Sequence, residues 1–260
     1  MSARDTLKLP ARFDKALSPI IKAQLHAIGQ RVYDLVAMAL GDVRAADSDR
    51  LRRDRLIAAH TMALSVFESE CLGYFHNVAG GLDLFKSLAC KAGCTFCCEL
   101  RVEVTALEAV AIWGAAAGPD MEPVRDAIIA TGKRTQSMSD EARRQARIRC
   151  GFLKDGVCAA YQSRPYACRG MFATDARDCE AVMTTPAGLP LPPVRSPAVP
   201  RALSGIFFAG VNAALQDAGL QHDTLELNSA VAQLIEHPDT FARWLAGEKA
   251  FPSPSVPRAG

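Results

Sequence analysis

Cys90-Lys-Ala-Gly-Cys94-Thr-Phe-Cys97-Cys98 places four thiols within nine residues. About fifty residues later, Cys150-Gly-Phe-Leu-Lys-Asp-Gly-Val-Cys158 opens a second stretch, which runs through Arg164-Pro-Tyr-Ala-Cys168-Arg169 to Cys179. Eight of the nine cysteines therefore lie between 90 and 179. Thiolates crowded in this way repel one another unless a cation or oxidation removes the charge. A bound cation lowers their pKa enough to hold several together near neutral pH.

The spacing says more. Cys94 and Cys97 form a C-x2-C knuckle, in which a tight turn aims two sulfurs at one metal, and Cys90 is close enough to join them. Cys97 and Cys98 are neighbours, whose side chains diverge by about 100° on a helix and about 180° on a strand. One of the pair is therefore expected to serve a second metal atom, within a cluster or at a separate site. The second stretch has gaps of seven, nine and ten residues between successive cysteines. Zinc ribbons bring their second pair as another close knuckle. Iron–sulfur clusters tolerate irregular spacing, because each iron needs only one or two protein sulfurs. The pattern favours an iron–sulfur cluster over zinc. Arg101, Arg164 and Arg169 lie beside the thiols in sequence and are candidates to offset their charge.

The rest of the composition is ordinary. The 260 residues are 49% apolar and 22% charged, with a net charge of +2. A chain of this length buries roughly 70–75% of its unfolded surface without a staple. The small net charge gives no pull toward nucleic acid or an anionic membrane. Met1–Gln24 is interrupted by charges, unlike a secretory signal. The apolar runs 109–118 and 202–215 are short for a bilayer span. These features point to a soluble, cytoplasmic protein, where dense cysteines hold metal more often than disulfides. No histidine lies between 77 and 221, which argues against a hydrolase with a cysteine nucleophile.

The remaining segments read as helices. Ser18-Pro19 is a helix opening, followed by Ile21, Leu25, Ile28, Val32, Val36 and Leu40 at helical steps, with turns expected at Gly41-Asp42 and Asp47-Ser48-Asp49. A second helix over 49–77 carries Leu56, His60, Leu64, Phe67, Cys71 and Tyr74 on one stripe, where Cys71 reads as a core residue and His60 as a hydrogen-bonded one. Gly80-Gly81 ends this pair. Thr105-Ala-Leu-Glu108 is a capping box opening a helix through Ala117, stopped by Gly118-Pro119-Asp120. Residues 121–149 read as one or two helices whose basic run (Lys133, Arg134, Arg143, Arg144, Arg147, Arg149) is expected to be a solvated face rather than a nucleic-acid surface. Six prolines between 184 and 200 mark an extended strap. Helices follow at 203–218, over Leu227–Ile235 up to Pro238, and after Asp239 with Phe241, Trp244 and Leu245, closed by Gly247. The fold class is mainly α, a helical scaffold around a loop-rich cysteine core. Its expected parts are an N-terminal helical segment (1–82), the cysteine domain (83–183), a proline-rich connector (184–200), C-terminal helices on the same body (201–250) and a disordered tail (251–260).

The series Cys90-x3-Cys94-x2-Cys97-Cys98, Val104-Thr105-x2-Glu108, then Cys150-x-Phe-Leu-x2-Gly156-x-Cys158-x2-Tyr161-x2-Arg164-Pro165-x2-Cys168-Arg169 resembles the YkgJ-type (CxxCxxCC) cysteine-cluster family over roughly residues 86–180. The first gap holds three residues here, where the family's label has two. The resemblance implies zinc or iron chelation through Cys90, Cys94, Cys97, Cys98, Cys150, Cys158 and Cys168, with Cys179 as the natural eighth. It also implies a bacterial, cytoplasmic protein. A related cysteine domain in flagellin lysine N-methylases raises methyl transfer as an alternative. A second alternative is radical S-adenosylmethionine chemistry, since Cys90-x3-Cys94-x-Phe96-Cys97 is similar to that superfamily's signature; it leaves Cys98 and four later cysteines without a role. The partner implied throughout is a metal ion. Any protein partner is left open by the sequence.

Overall fold

The helices begin where their caps dictate. In the computed structural model, which describes residues 2–13, 16–115 and 121–252, α1 spans Pro19–Arg44, and the Ser18 hydroxyl accepts the Ile21 N–H at 3.4 Å. α2 spans Asp49–Asn77 and is capped by Ser48 through the Leu51 N–H at 3.3 Å. α3 (Gly81–Ser87) follows a left-handed Gly80, a conformation that glycine adopts at no steric cost. α4 (Ala106–Ala115) opens on a reciprocal box: Thr105 N–H donates to Glu108 at 2.8 Å, and Glu108 N–H to the Thr105 hydroxyl at 3.1 Å. Then come α5 (Glu122–Thr135), α6 (Asp140–Gln145), α7 (Tyr166–Arg169), α8 (Ala176–Thr184), α9 (Ala198–Asp217), α10 (Leu227–Glu236) and α11 (Thr240–Leu245). Two short antiparallel ladders complete the described residues. β1 (Glu103–Val104) pairs with β4 (Leu225–Glu226), and β2 (Leu153–Lys154) with β3 (Val157–Cys158).

The protein is mainly α. α1 packs on α9 and α2, α2 on α4, and α10 on α5 and α4. At the α1–α9 crossing a Cβ on Gly210 would come within 2.6 Å of the Gly29 carbonyl oxygen, so only glycine permits this approach. One apolar core runs through Leu25, Val32, Leu56, Phe67, Leu107, Ile112, Phe207, Val211 and Trp244. Each such side chain contributes about 1.5–3 kcal/mol by burial. α9 is long and apolar enough to cross a membrane by length and composition alone, and 56% of its apolar window is buried within the protein, as in a core helix.

Several expectations are corrected. α1 continues through Gly41-Asp42 to Arg44, because one glycine in a helix costs only about 1 kcal/mol. The buried stripe of α2 ends on Phe75, four residues after Cys71, rather than on Tyr74. His60 is buried, with no hydrogen-bond partner for either ring nitrogen among the described residues. The basic run is not wholly solvated: Arg143 and Arg144 are buried, the first paired with Glu226, the second donating to Val182 and Thr185 carbonyls. The strap yields to α9 at Ala198, with Pro200 in the first turn where its missing N–H costs little. Phe251, expected in the tail, is buried against Trp244, and its N–H donates to Gln221 at 2.9 Å. The expected helix end at Ala117, its stop at Gly118-Pro119-Asp120 and the tail beyond residue 252 lie outside the described residues.

Candidate metal centre

The first cysteine stretch folds as two tight turns. Gly93 has φ +89°, and Cys94 N–H closes onto the Lys91 carbonyl at 3.0 Å. Phe96–Glu99 forms one 3-10 turn carrying Cys97 and Cys98, with Cys98 N–H on the Thr95 carbonyl. Cys90 is tied across to the second stretch: its sulfur accepts the Ala173 N–H at 3.1 Å, and Ala89 N–H donates to the Ala173 carbonyl at 2.9 Å.

In the second stretch β2 and β3 form a two-residue hairpin. Asp155 (φ +50°) and Gly156 (φ +79°) make its turn, and Cys158 stands opposite Leu153. Consecutive positive φ angles are the type I′ signature, for which Asp-Gly is a preferred pair. Pro165 precedes α7, which presents Cys168. α8, capped by the Asp175 carboxylate on Arg177 N–H at 2.9 Å, presents Cys179 and packs on the 3-10 turn. Arg195 reaches back from the strap to Asp175 and Asp178 at 3.0 and 2.9 Å, holding the strap to this helix.

The two stretches meet. Cys150 N–H donates to the Cys98 carbonyl at 2.7 Å. One cavity of about 70 Å³ is lined by Cys94, Cys97, Cys98, Cys150, Cys158 and Cys168, together with Arg164 and apolar side chains including Ile112, Phe152 and Leu227. Cys90 and Cys179 stand beside this wall, close enough to Cys94 and Cys97 for their charges to interact. All eight are free thiols, as is Cys71. Among the described residues no three Cys, His, Asp or Glu side chains already meet around one metal-sized point, so closing on an ion takes side-chain rotation. Cys71 sits apart in the apolar core on α2, and His60 packs against Tyr166 with ring centres 5.7 Å apart.

Burial governs the thiols. It pushes Cys150 up to about 12 and Cys179 up to about 11, and it raises Cys90, Cys158 and Cys168. Cys97 moves the other way, to about 7, because Cys98 donates a hydrogen bond to it; the same bond drives Cys98 upward. Of the three arginines singled out from the sequence, Arg164 is the one on the cavity wall, its guanidinium 3.7 Å from the centre of the Tyr161 ring. Its charge favours the thiolates of Cys90, Cys97, Cys158 and Cys168. Arg169 pairs with Glu68, and Arg101 faces Asp140 at 3.9 Å.

Sequence reasoning missed three features of the site. The Asp155-Gly156 hairpin was signalled by the residues themselves. The Ala173 contact with Cys90 had no sequence signal, nor did Asn228, whose Oδ1 lies 3.5 Å from the Cys150 sulfur.

No curated protein and no solved structure matches the chain. Residues 89–184 match the family model "CxxCxxCC: Putative zinc- or iron-chelating domain". Over that segment the chain is similar to this family, and all eight clustered cysteines fall within it.

Proposed function

We propose that this is a metal-binding protein that holds an iron–sulfur cluster, or zinc, through Cys90, Cys94, Cys97, Cys98, Cys150, Cys158, Cys168 and Cys179, in a redox, structural or metal-handling role. The observation that carries this reading is the single cavity on which six thiols from two distant segments converge. An all-sulfur donor set suits zinc or an iron–sulfur cluster and excludes hard cations such as magnesium and calcium. A cytoplasmic location goes with this reading, because a reducing compartment keeps metal-binding cysteines from pairing as disulfides.

Cys97 lies at the middle of the set, near enough to Cys90, Cys158, Cys168 and Cys179 for their charges to interact. Eight sulfurs are twice what one tetrahedral ion takes, which suits a centre of more than one metal atom. A mononuclear zinc would draw four sulfurs to about 2.3 Å from one point. Thiols spread along a shared wall are closer to what a cluster requires, where each iron takes one or two of them.

The cavity also bears on the alternatives. Pockets for organic ligands run to about 300–1,000 Å³, and this one is about 70 Å³. It suits a metal and leaves little room for S-adenosylmethionine, which weighs against a radical or methyl-transfer enzyme at this site.

Anaerobic purification followed by elemental analysis and an ultraviolet–visible spectrum tests the proposal. Iron with sulfide and visible absorption that bleaches with dithionite is the expected result. Colourless protein with stoichiometric zinc would select the other metal. Protein that binds neither, or in which the cavity cysteines are joined as disulfides, would refute the reading.

A further inference from the structure

α10 lies outside the segment that matches the family, yet it reaches the thiol cavity. Leu227 forms part of the wall, and its N–H donates to the Val102 carbonyl at 3.0 Å, extending the β1–β4 ladder. The next residue, Asn228, is 0% exposed, and both polar atoms of its side chain are engaged. Its Oδ1 accepts the Gly151 N–H at 2.8 Å and the Cys150 thiol at 3.5 Å. Its Nδ2 donates to Glu226 at 2.9 Å, and Glu226 is in turn held by Arg143 and by the Ser229 N–H at 2.8 Å.

The Cys150 corner is therefore fixed from three sides. Cys98 holds the Cys150 N–H, Asn228 holds the Gly151 N–H, and α5 blocks the third direction. A Cβ on Gly151 would lie 2.5 Å from the Ile128 Cα. Once the thiol gives its proton up to bind metal, the Gly151 N–H is the contact through which Oδ1 still sets the backbone.

We infer that Asn228 is a positioning residue of the metal centre, and that α10 completes a site most of whose residues lie in the family segment. This rests on the reading of Cys150 as a metal ligand. Removing the Asn228 amide leaves the Gly151 N–H buried without an acceptor and takes away one of the three constraints on the Cys150 corner. Loss of a group that orients a metal ligand weakens binding by about 10–100-fold.

The test uses the full-length chain, carrying its native metal or stripped and reloaded with zinc alone. Bound metal per chain is measured against a competing chelator for wild type, Asn228→Ala, Asn228→Asp, Cys150→Ser and Leu234→Ala. Leu234 is buried on the same helix, so its truncation reports what loosening α10 does by itself. Asn228→Ala is expected to bind about 10–100-fold more weakly, whereas Leu234→Ala keeps wild-type affinity. Asn228→Asp, which retains an acceptor for Gly151, recovers most of the loss even if it melts earlier. If Asn228→Ala does not fold, Asn228→Ser, one bond shorter, carries the same comparison. Equal weakening in Asn228→Ala and Leu234→Ala overturns the inference, as does wild-type affinity in Asn228→Ala while Cys150→Ser loses metal. Full metal retention in Cys150→Ser would instead remove the ligand reading beneath it.

Discussion

Replacing Arg143 with methionine tests the polar support beneath the centre. Arg143 is 1% exposed and its partner Glu226 is 5% exposed. Arg143 donates to Glu226 through Nη1, while its Nε and Nη2 have no partner among the described residues. Methionine fills a similar volume and leaves Glu226 buried with only neutral donors. Breaking a buried pair by removing one partner costs about 3–5 kcal/mol. For a chain of this size that is a fall in melting temperature of about 6–20 °C.

The pH dependence separates this mechanism from simple packing loss. Burial alone would raise the Glu226 carboxyl, but the Arg143 charge and the bonds from Asn228 and Ser229 outweigh it and hold it below its ordinary 4.5. Its stabilising contribution in the wild type is therefore present above pH 4.5 and is lost as pH falls through the lowered value. Without Arg143 the burial effect dominates and the carboxyl rises above 4.5, so the variant gains relative stability as the pH drops. Denaturant unfolding at pH 8 and pH 5, at fixed metal loading, should show the gap narrowing at the lower pH. Adding Glu226→Gln should restore part of the loss by removing the uncompensated charge. A gap under about 1 kcal/mol, below the range for a broken buried pair, or one equal at both pH values, would refute the reasoning.

Burial lifts the Glu108 carboxyl to about 7, despite N–H bonds from Thr105 and Tyr166. The folded protein thus holds this proton across pH 4.5–7 while the unfolded chain does not, and the contribution to stability falls as pH rises through that window. Glu108→Gln should gain about 3 kcal/mol relative to wild type between pH 4.5 and 7.5; unfolding midpoints that differ equally at both ends would refute it. Cys71→Ser should cost about 1–3 kcal/mol for a hydroxyl in the core with unchanged metal content, whereas Cys97→Ser should lower metal content. Equal metal loss from the two, read by elemental analysis, would overturn that ranking. Gly151→Ala forces a methyl into the α5 backbone and should cost about 1–3 kcal/mol or more, with metal content falling alongside; a thermal melt matching wild type would show that the contact relaxes.

What could be read from the sequence was what is decided locally. The bounds of α2 follow from Ser48 and from an unbroken stripe between Leu56 and Cys71. The start of α4 follows from Thr105 and Glu108, two residues that satisfy one another. The Asp155-Gly156 turn is equally local, since Asp-Gly is a preferred pair where two consecutive φ angles are positive. By contrast, Arg143 and Arg144 look like surface residues in sequence, because the groups that bury them are supplied from far along the chain by Glu226, Val182 and Thr185. Asn228 is the sharper case. Nothing around it resembles a metal site, and its role arises only when α10 packs on α5 and brings its amide to Gly151.

The distribution of apolar contacts decides how metal removal should act. α1, α2 and α9 bury one another through Leu25, Val32, Phe67, Phe207 and Val211, none of which lines the cavity. A 260-residue core of this kind does not need a metal to fold. The cysteine segments differ: between Leu88 and Val102, and between Cys150 and Asp175, they hold two 3-10 turns, one hairpin and one four-residue helix. Elements so short have little stability of their own and open first. A ligand that binds only their closed form stabilises it in proportion to the logarithm of its occupancy. Chelation should therefore leave the far-ultraviolet helix signal nearly intact while limited proteolysis begins to cut within 88–102 and 150–175. Global loss of helix on chelation would place the metal at the root of the whole fold instead.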